Sequence, residues 1–96
     1  KVAAVEFVAD GAVTANDTNY ATFTASVGGT SIGTVSTTTT DSGDISDGGV
    51  ASVALSGAGS NLVADGGAVK VAITKPGTGV AIAGTVQVTL ERVRAD

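Results

Sequence analysis

The feature that most constrains this chain is a two-residue alternation of small apolar and polar side chains. In the segment Tyr20–Val27, the odd-numbered positions carry Ala, Phe, Ala and Val, and the even-numbered positions carry Tyr, Thr, Thr and Ser. Successive side chains of a β-strand point to opposite faces of the sheet, so this period places all the apolar groups on one face. The pattern predicts a strand with one buried and one solvated face.

The same period, or a looser form of it, recurs along the chain. It predicts six strands, which are Val2–Val8, Tyr20–Val27, Ser31–Thr38, Val50–Ser56, Ala68–Thr74 and Thr85–Val93. In the first strand, Ala3, Val5 and Phe7 are expected on the buried face. The third strand is weaker, because Ile32 and Val35 are out of phase with each other.

Turn-forming dipeptides separate these segments. They are Asp10-Gly11, Gly28-Gly29, Gly48-Gly49, Gly66-Gly67 and Pro76-Gly77. Gly and Pro favour turns because of their special backbone geometry, and Gly disfavours helix interiors. Strands spaced by about 10–15 residues with turns between them are typical of an antiparallel β-sandwich or jelly roll. We therefore predict an all-β fold, with residues 1–96 forming a single domain.

The apolar content predicts a core of small side chains. The 96 residues contain no Trp and no Met, and the aromatic residues are Phe7, Tyr20 and Phe23. Burying an Ala contributes much less than the roughly 1.5–3 kcal/mol of a buried Val or Leu. Cys is absent, so disulfides cannot compensate. Oligomerisation or docking onto a larger surface is the expected source of extra stability, and a well-packed monomer is the alternative.

Charge and composition also exclude classes of partner. The formal net charge is −4 and the pI is about 4.4. Five dispersed Lys and Arg residues do not form the basic stripe that nucleic acids require, so no nucleic-acid partner is predicted. An anionic membrane surface is disfavoured for the same reason. No apolar segment approaches the ~20 residues that span a bilayer, so no membrane partner is predicted.

No catalytic constellation is visible. Because His and Cys are absent and Lys occurs only twice, Ser and Thr have no evident base to activate them. The sequence predicts no enzyme, no cofactor and no metal site. One alternative stays open for Asp41, Asp44 and Asp47, whose carboxylates lie in the polar segment Thr37–Gly49 and could hold a hard cation such as calcium. The competing interpretation is that these side chains cap backbone amides in a solvated turn.

Three segments carry a family resemblance. Residues 7–23 read FVADGAVTANDTNYATF, residues 65–74 read DGGAVKVAIT, and residues 75–88 read KPGTGVAIAGTVQV. Together they resemble the capsid decoration (cement) proteins of tailed bacteriophages. The resemblance covers about half the chain, and it does not extend to residues 28–61.

The resemblance implies a function and a location. It implies an all-β, jelly-roll-like module on the outer capsid surface of a virion, where it binds the major capsid protein as a homotrimer and stabilises the head. The alternative is a glycan- or receptor-binding module of a phage fibre or bacterial surface protein, with residues 37–49 as its site. Aromatic platforms for sugars are scarce, which disfavours this alternative.

We expect interface contacts from the first strand, from the loop before the second strand and from the C-terminal residues. The loop segment is also expected to close through bonds from its Asn and Asp side chains to the backbone. The candidate interface residues are Val2, Val5, Phe7, Asn16, Asp17, Asn19, Tyr20, Arg92 and Arg94.

Overall fold

The protein is an all-β sandwich of two antiparallel sheets. A computed structural model describes residues 1–55, 62–63, 67–75 and 82–92, and these ranges contain no helix. Within these ranges the seven strands are β1 (Val2–Ala9), β2 (Thr22–Val27), β3 (Thr30–Ser36), β4 (Val50–Ser52), β5 (Ala54–Leu55), β6 (Val69–Thr74) and β7 (Gly84–Leu90). The predicted fold class is confirmed, and each predicted strand has a counterpart within a few residues.

The strands form a three-stranded sheet of order β4-β1-β7 and a four-stranded sheet of order β5-β3-β2-β6. All pairings are antiparallel. The stacked rings of Phe7 on β1 and Phe23 on β2, with centroids 4.7 Å apart, join the two sheets at their centres. This contact indicates that the central strand β1 lies over β2.

The predicted strand Val50–Ser56 is divided between the two sheets. β4 pairs with β1, and β5 pairs with β3. Val53 lies between them, is buried, and still donates its N–H to the Val5 carbonyl at 2.8 Å. The apolar period continues through Ala51, Val53 and Leu55 because both halves face the same core. The chain therefore closes one side of the sandwich covalently.

β1 departs from simple alternation near its N-terminal end, where it pairs with the end of β7. Val2 pairs with Leu90 and Ala4 with Thr89, so Ala3 is an extra residue in a β-bulge. A bulge reverses the face on which the preceding side chain lies. Val2 is consequently buried and Ala3 is exposed. The prediction that Ala3 shares the buried face with Val5 and Phe7 is therefore wrong.

A second irregularity explains the out-of-phase pair on β3. The pairing register between β2 and β3 shifts at Ala25 and Ser26, which leaves Ile32 as the additional residue. Both Ile32 and Val35 are buried as a result. The adjacent Gly33 is required there, because a Cβ at this position would lie 2.1 Å from the carbonyl oxygen of Ala54.

The buried core is small-residue rich, as the composition predicts. Among the described residues, its members are Val2, Val5, Phe7, Ala9, Val13, Ala21, Phe23, Ala25, Ile32, Val35, Ile45, Ala51 and Val53. Four of these lie outside the strands, namely Val13, Ala21, Ile45 and Val53, and Val13 and Ile45 pair with each other through a β-bridge. The turn residues Gly28 and Gly29 have φ values of 58° and 87°, which are the values of a two-residue type I′ hairpin.

Candidate interaction surface

Two long loops lie side by side at one end of the sandwich. The first comprises residues 10–20 and the second residues 37–49, and we call this region the loop end. Val13 and Ile45 exchange backbone hydrogen bonds of 2.7 and 2.8 Å, and Asn16 N–H donates to the Thr37 carbonyl at 3.1 Å. The long polar segment 37–49 is therefore bonded along its length to the other loop.

The carboxylates of the second loop accept backbone N–H groups. Asp47 accepts from Gly11 at 3.0 Å, Asp44 from Ala15 at 2.8 Å, and Asp41 from Ser36 at 2.9 Å. Two of these amides belong to the first loop, so the side chains join the loops as well as capping a turn. This is the structural role weighed against calcium binding. In the ranges that the structure describes, no three acidic side chains are grouped as metal ligands would be.

Asn16 closes the first loop as predicted, whereas Asp17 bonds to the second loop. The Asn16 Oδ1 accepts the N–H groups of Thr18 and Asn19 at 2.8 and 2.7 Å. Asp17 accepts both the N–H and the hydroxyl of Thr39 across the loops, at 2.8–3.0 Å. The Thr39 amide, with help from its hydroxyl, lowers the pKa of the Asp17 carboxyl because both donors stabilise the charged form.

Thr37 is the buried polar residue beneath this loop contact. Its Oγ1 accepts the Ala21 N–H at 2.9 Å, and its own N–H donates to the Ala21 carbonyl at 2.9 Å. The side chain is 1% exposed, so no water can replace these bonds. No sequence signal distinguished Thr37 from the three threonines that follow it.

Three of the predicted interface residues are core residues. Val2, Val5 and Phe7 are between 0% and 4% exposed, and β1 is paired on both edges. Their side chains fill the space between the sheets, and no partner can reach them in the folded chain. The prediction of interface contacts through these three residues is wrong, because β1 lies at the centre of its sheet rather than at an edge.

The remaining predicted interface residues are not brought to one place. Asn16, Asp17, Asn19 and Tyr20 lie at the loop end, where Asn16 and Asp17 are exposed and the other two are half-buried. Arg92 is exposed and follows β7 at the opposite end. Arg94 lies outside the described residues. Sequence reasoning gathered these residues without knowing which end of the sheet each one occupies.

A different surface is left incomplete by the fold. β4 and β5 close one side of the sandwich through Val53, whereas β6 and β7 are the edge strands at the other side. We call this second side the open side. Opposite residues of an antiparallel pair share a face, so the register places Ile73 beside Phe23, Val88 beside Val5, and Leu90 beside Val2. These three edge side chains belong to the inner face of the sandwich.

Inner-face side chains on the open side are nevertheless accessible. Ile73 is 48% exposed, Val88 is 39% exposed and Leu90 is 63% exposed. Their neighbours Val69, Val71 and Val86 are half-buried and pack against the core. The open side is therefore a strip of apolar residues, three from each edge strand, that the described part of the chain only partly covers.

The backbone of β7 is also unpartnered along this side in the described part of the chain. At one end of β7, the Ala83 carbonyl accepts from the Asp10 N–H at 2.7 Å, and at the other end Lys1 and Glu91 exchange backbone hydrogen bonds of 2.6 and 2.8 Å. The odd-numbered residues of this segment therefore direct their backbone groups towards β1. Alternate residues of a strand bond to opposite neighbours. Gly84, Val86, Val88 and Leu90 therefore direct their N–H and C=O groups outwards.

Charges are separated along the strand axis. Five carboxylates lie at the loop end, namely Asp10, Asp17, Asp41, Asp44 and Asp47. The opposite end carries Lys1, Lys70 and Arg92, with Glu91 between them. Three of the four basic residues in the described ranges thus lie at the end towards which the apolar strip runs, and the fourth, Lys75, follows Thr74 at the loop end.

Comparisons with known proteins add no assignment. No family model matches the chain, and searches of curated proteins and of solved structures found no significant match. Within the described ranges, no helix has the length and apolar character needed to cross a bilayer.

Proposed function

We propose that this chain is a capsid decoration (cement) protein that binds the outer surface of a bacteriophage head as a homotrimer and stabilises the lattice of major capsid protein. The observation that carries the proposal is the open side of the sandwich, whose inner-face residues Ile73, Val88 and Leu90 are 39–63% exposed. A contiguous exposed apolar patch on a folded protein often marks a site of interaction with a partner.

The polar groups of the loop end favour attachment over chemistry or sugar binding. Asp17, Asp41, Asp44 and Asp47 each accept hydrogen bonds from backbone amides of the loops. A carboxylate engaged in this way holds loop geometry and has reduced capacity to bind a hydroxyl of a ligand. These bonds favour the open side over residues 37–49 as the proposed binding surface.

A thin core gives attachment a thermodynamic role. Any partner that binds only the folded state raises its stability by mass action. Many copies on one shell convert weak individual contacts into durable attachment. The resemblance of residues 7–23 and 65–88 to decoration proteins supports a phage head as the partner, and the open side is the surface proposed to contact it.

The test uses purified virions of the phage whose genome encodes this sequence. Quantitative mass spectrometry should find the chain in a fixed ratio to the major capsid protein, and heads depleted of it should lose DNA at a lower temperature. Size-exclusion chromatography with light scattering should give the free chain a mass three times that of the 9.1 kDa monomer. Absence from virions together with saturable binding to a glycan array would replace this proposal with the receptor-binding alternative.

A further inference from the structure

We propose that the β7 edge accepts an extended, acidic segment of the partner protein as an additional antiparallel strand. This inference deepens the proposed function and rests on it for the identity of the partner as a capsid protein. The strand-addition chemistry itself depends only on the edge. Peptide segments commonly bind by adding a strand to an exposed sheet edge, with backbone bonds giving affinity and alternate side chains giving specificity.

β7 has the features of an acceptor edge. Its seven residues contain no charged side chain and no Pro, and these are the devices by which proteins usually protect an edge strand. β6, the edge on the facing sheet, carries Lys70 and is followed by Lys75. Of the two edges that border the open side, β7 is therefore the one left unprotected.

The side chains and the backbone of β7 point to the same occupant. The residues with outward-directed N–H and C=O groups, Gly84, Val86, Val88 and Leu90, include the three whose side chains lie on the inner face. A strand laid along this edge would form backbone bonds at those positions. Its own alternate side chains would cover Ile73, Val88 and Leu90. One extended segment would thus both bond the outward-directed backbone groups of β7 and cover the exposed apolar side chains of the open side.

Charge identifies the composition of that segment. Lys1, Lys70 and Arg92 border the end of the strip away from the loop end. An acidic residue at the matching end of the added strand would be attracted to them, and a basic residue would be repelled. In a threefold assembly, β7 cannot pair with the same edge of a neighbour, because that pairing requires a twofold axis. In the proposed trimer, the β7 edge is therefore not occupied by the β7 edge of a neighbouring copy.

The test measures amide hydrogen exchange by NMR with a defined probe. The probe is a nine-residue blocked peptide of alternating valine and threonine with glutamate at both ends, and its counterpart has lysine at both ends. At saturation with the acidic peptide, we expect exchange at Gly84, Val86, Val88 and Leu90 to slow at least tenfold. Thr85, Gln87 and Thr89 should change little, since β1 already protects them.

A matched pair of variants separates edge binding from general damage. Val88→Lys places a charge on the inner face and should weaken peptide binding at least tenfold, whereas Thr89→Lys places the same charge on the outer face and should leave binding within about twofold. Both variants are checked by circular dichroism and thermal unfolding. If Val88→Lys fails to fold, an N-methylated acidic peptide, which cannot form the backbone bonds, gives the same contrast.

The outcomes are distinguishable from failure of the proposed function. Protection confined to other residues, equal binding of the lysine peptide, or protection of the same four amides by self-association without peptide would each overturn the strand-addition inference. If heads bind the chain but these four amides stay unprotected in the complex, the inference fails and the decoration role stands. If the peptide binds but the chain is absent from virions, the converse holds.

Discussion

At the scale of single residues, the loop end depends on a few side-chain bonds that hold two loops together. Thr37 is the most buried of them, and its Oγ1 accepts the Ala21 N–H. Removing an acceptor from a buried donor costs about 1–3 kcal/mol, because the donor loses water as well as its partner. Thr37→Val keeps the shape of the side chain, so its effect isolates this bond.

We expect Thr37→Val to lower the free energy of unfolding by about 1–3 kcal/mol in a urea titration. Thr40→Val, an exposed position in the same loop, is the control and should change it by less than about 0.5 kcal/mol. Equal effects of the two substitutions would show that the buried bond contributes nothing specific.

Asp17 gives the loop end a pH dependence. Because Thr39 lowers the pKa of its carboxyl, folding favours the charged form, and the stabilisation is fully present above the ordinary value of about 3.8. It is lost as the pH falls through the lowered pKa. We expect Asp17→Asn to be less stable than the parent at pH 7 and to converge with it in strong acid.

Thr39→Val tests the cause of that shift. It removes the hydroxyl donor but keeps the backbone N–H, so it should raise the pKa of Asp17 part of the way towards its ordinary value. Carboxyl titration followed by NMR measures this directly. An unchanged Asp17 titration in this variant would assign the whole shift to the Thr39 amide.

At the scale of elements, Gly84 permits a close contact between β7 and β1. A Cβ on Gly84 would lie 2.2 Å from the Val8 carbonyl oxygen and 2.7 Å from the ring of Phe7. We expect Gly84→Ala to cost about 1–3 kcal/mol, because the start of β7 must move away from β1. Gly28→Ala is the control for backbone conformation without crowding, and its cost at φ 58° should be about 1–2 kcal/mol.

Thermal unfolding of a double variant tells whether Gly84→Ala is destabilising because of the Phe7 ring or because of the Val8 carbonyl. If crowding by Phe7 dominates, the double variant Phe7→Leu with Gly84→Ala should recover part of the loss that Gly84→Ala causes, relative to Phe7→Leu alone. Additive losses would indicate that the contact with the Val8 backbone decides the effect.

The strands themselves were largely predictable, and their arrangement was not. Alternation located β2, β6 and β7, because each keeps one period along its length, and it located β1, which keeps one period from Val5 to Ala9. It missed the bulge at Ala3 and the division at Val53, since both depend on which strand lies alongside. The separate expectation that Val5 contributes to an interface did not allow for β1 being a central strand, which local pattern does not reveal. The open side follows from sheet order, which no local pattern contains.

At the scale of the whole molecule, the core and the open side should respond differently to truncation. Phe23 and Ile73 are register partners on the same inner face, but Phe23 is 1% exposed and Ile73 is half exposed. Phe23→Ala should cost about 3–5 kcal/mol, a large part of the total stability of a domain this size. Ile73→Ala should cost less than about 1 kcal/mol in the free chain.

The contrast between these two variants extends to the bound state. If the open side contacts a partner, Ile73→Ala should weaken attachment to heads while leaving the free chain folded, as judged by a thermal shift of only a few degrees. Unaltered attachment would remove Ile73 from the contact surface. Phe23→Ala is expected to lose attachment only in proportion to its unfolded fraction.

The continuous chain through Val53 makes the two long sides of the sandwich mechanically unequal. On the β4–β5 side, separating the sheets would require breaking the β4 and β5 pairings together with the Val53 bond to Val5. On the open side, no chain connection of this kind joins the sheets among the described residues. Thermal fluctuations should therefore separate the two sheets first along the open side. A segment bound there would hold β6 and β7 together and oppose this separation.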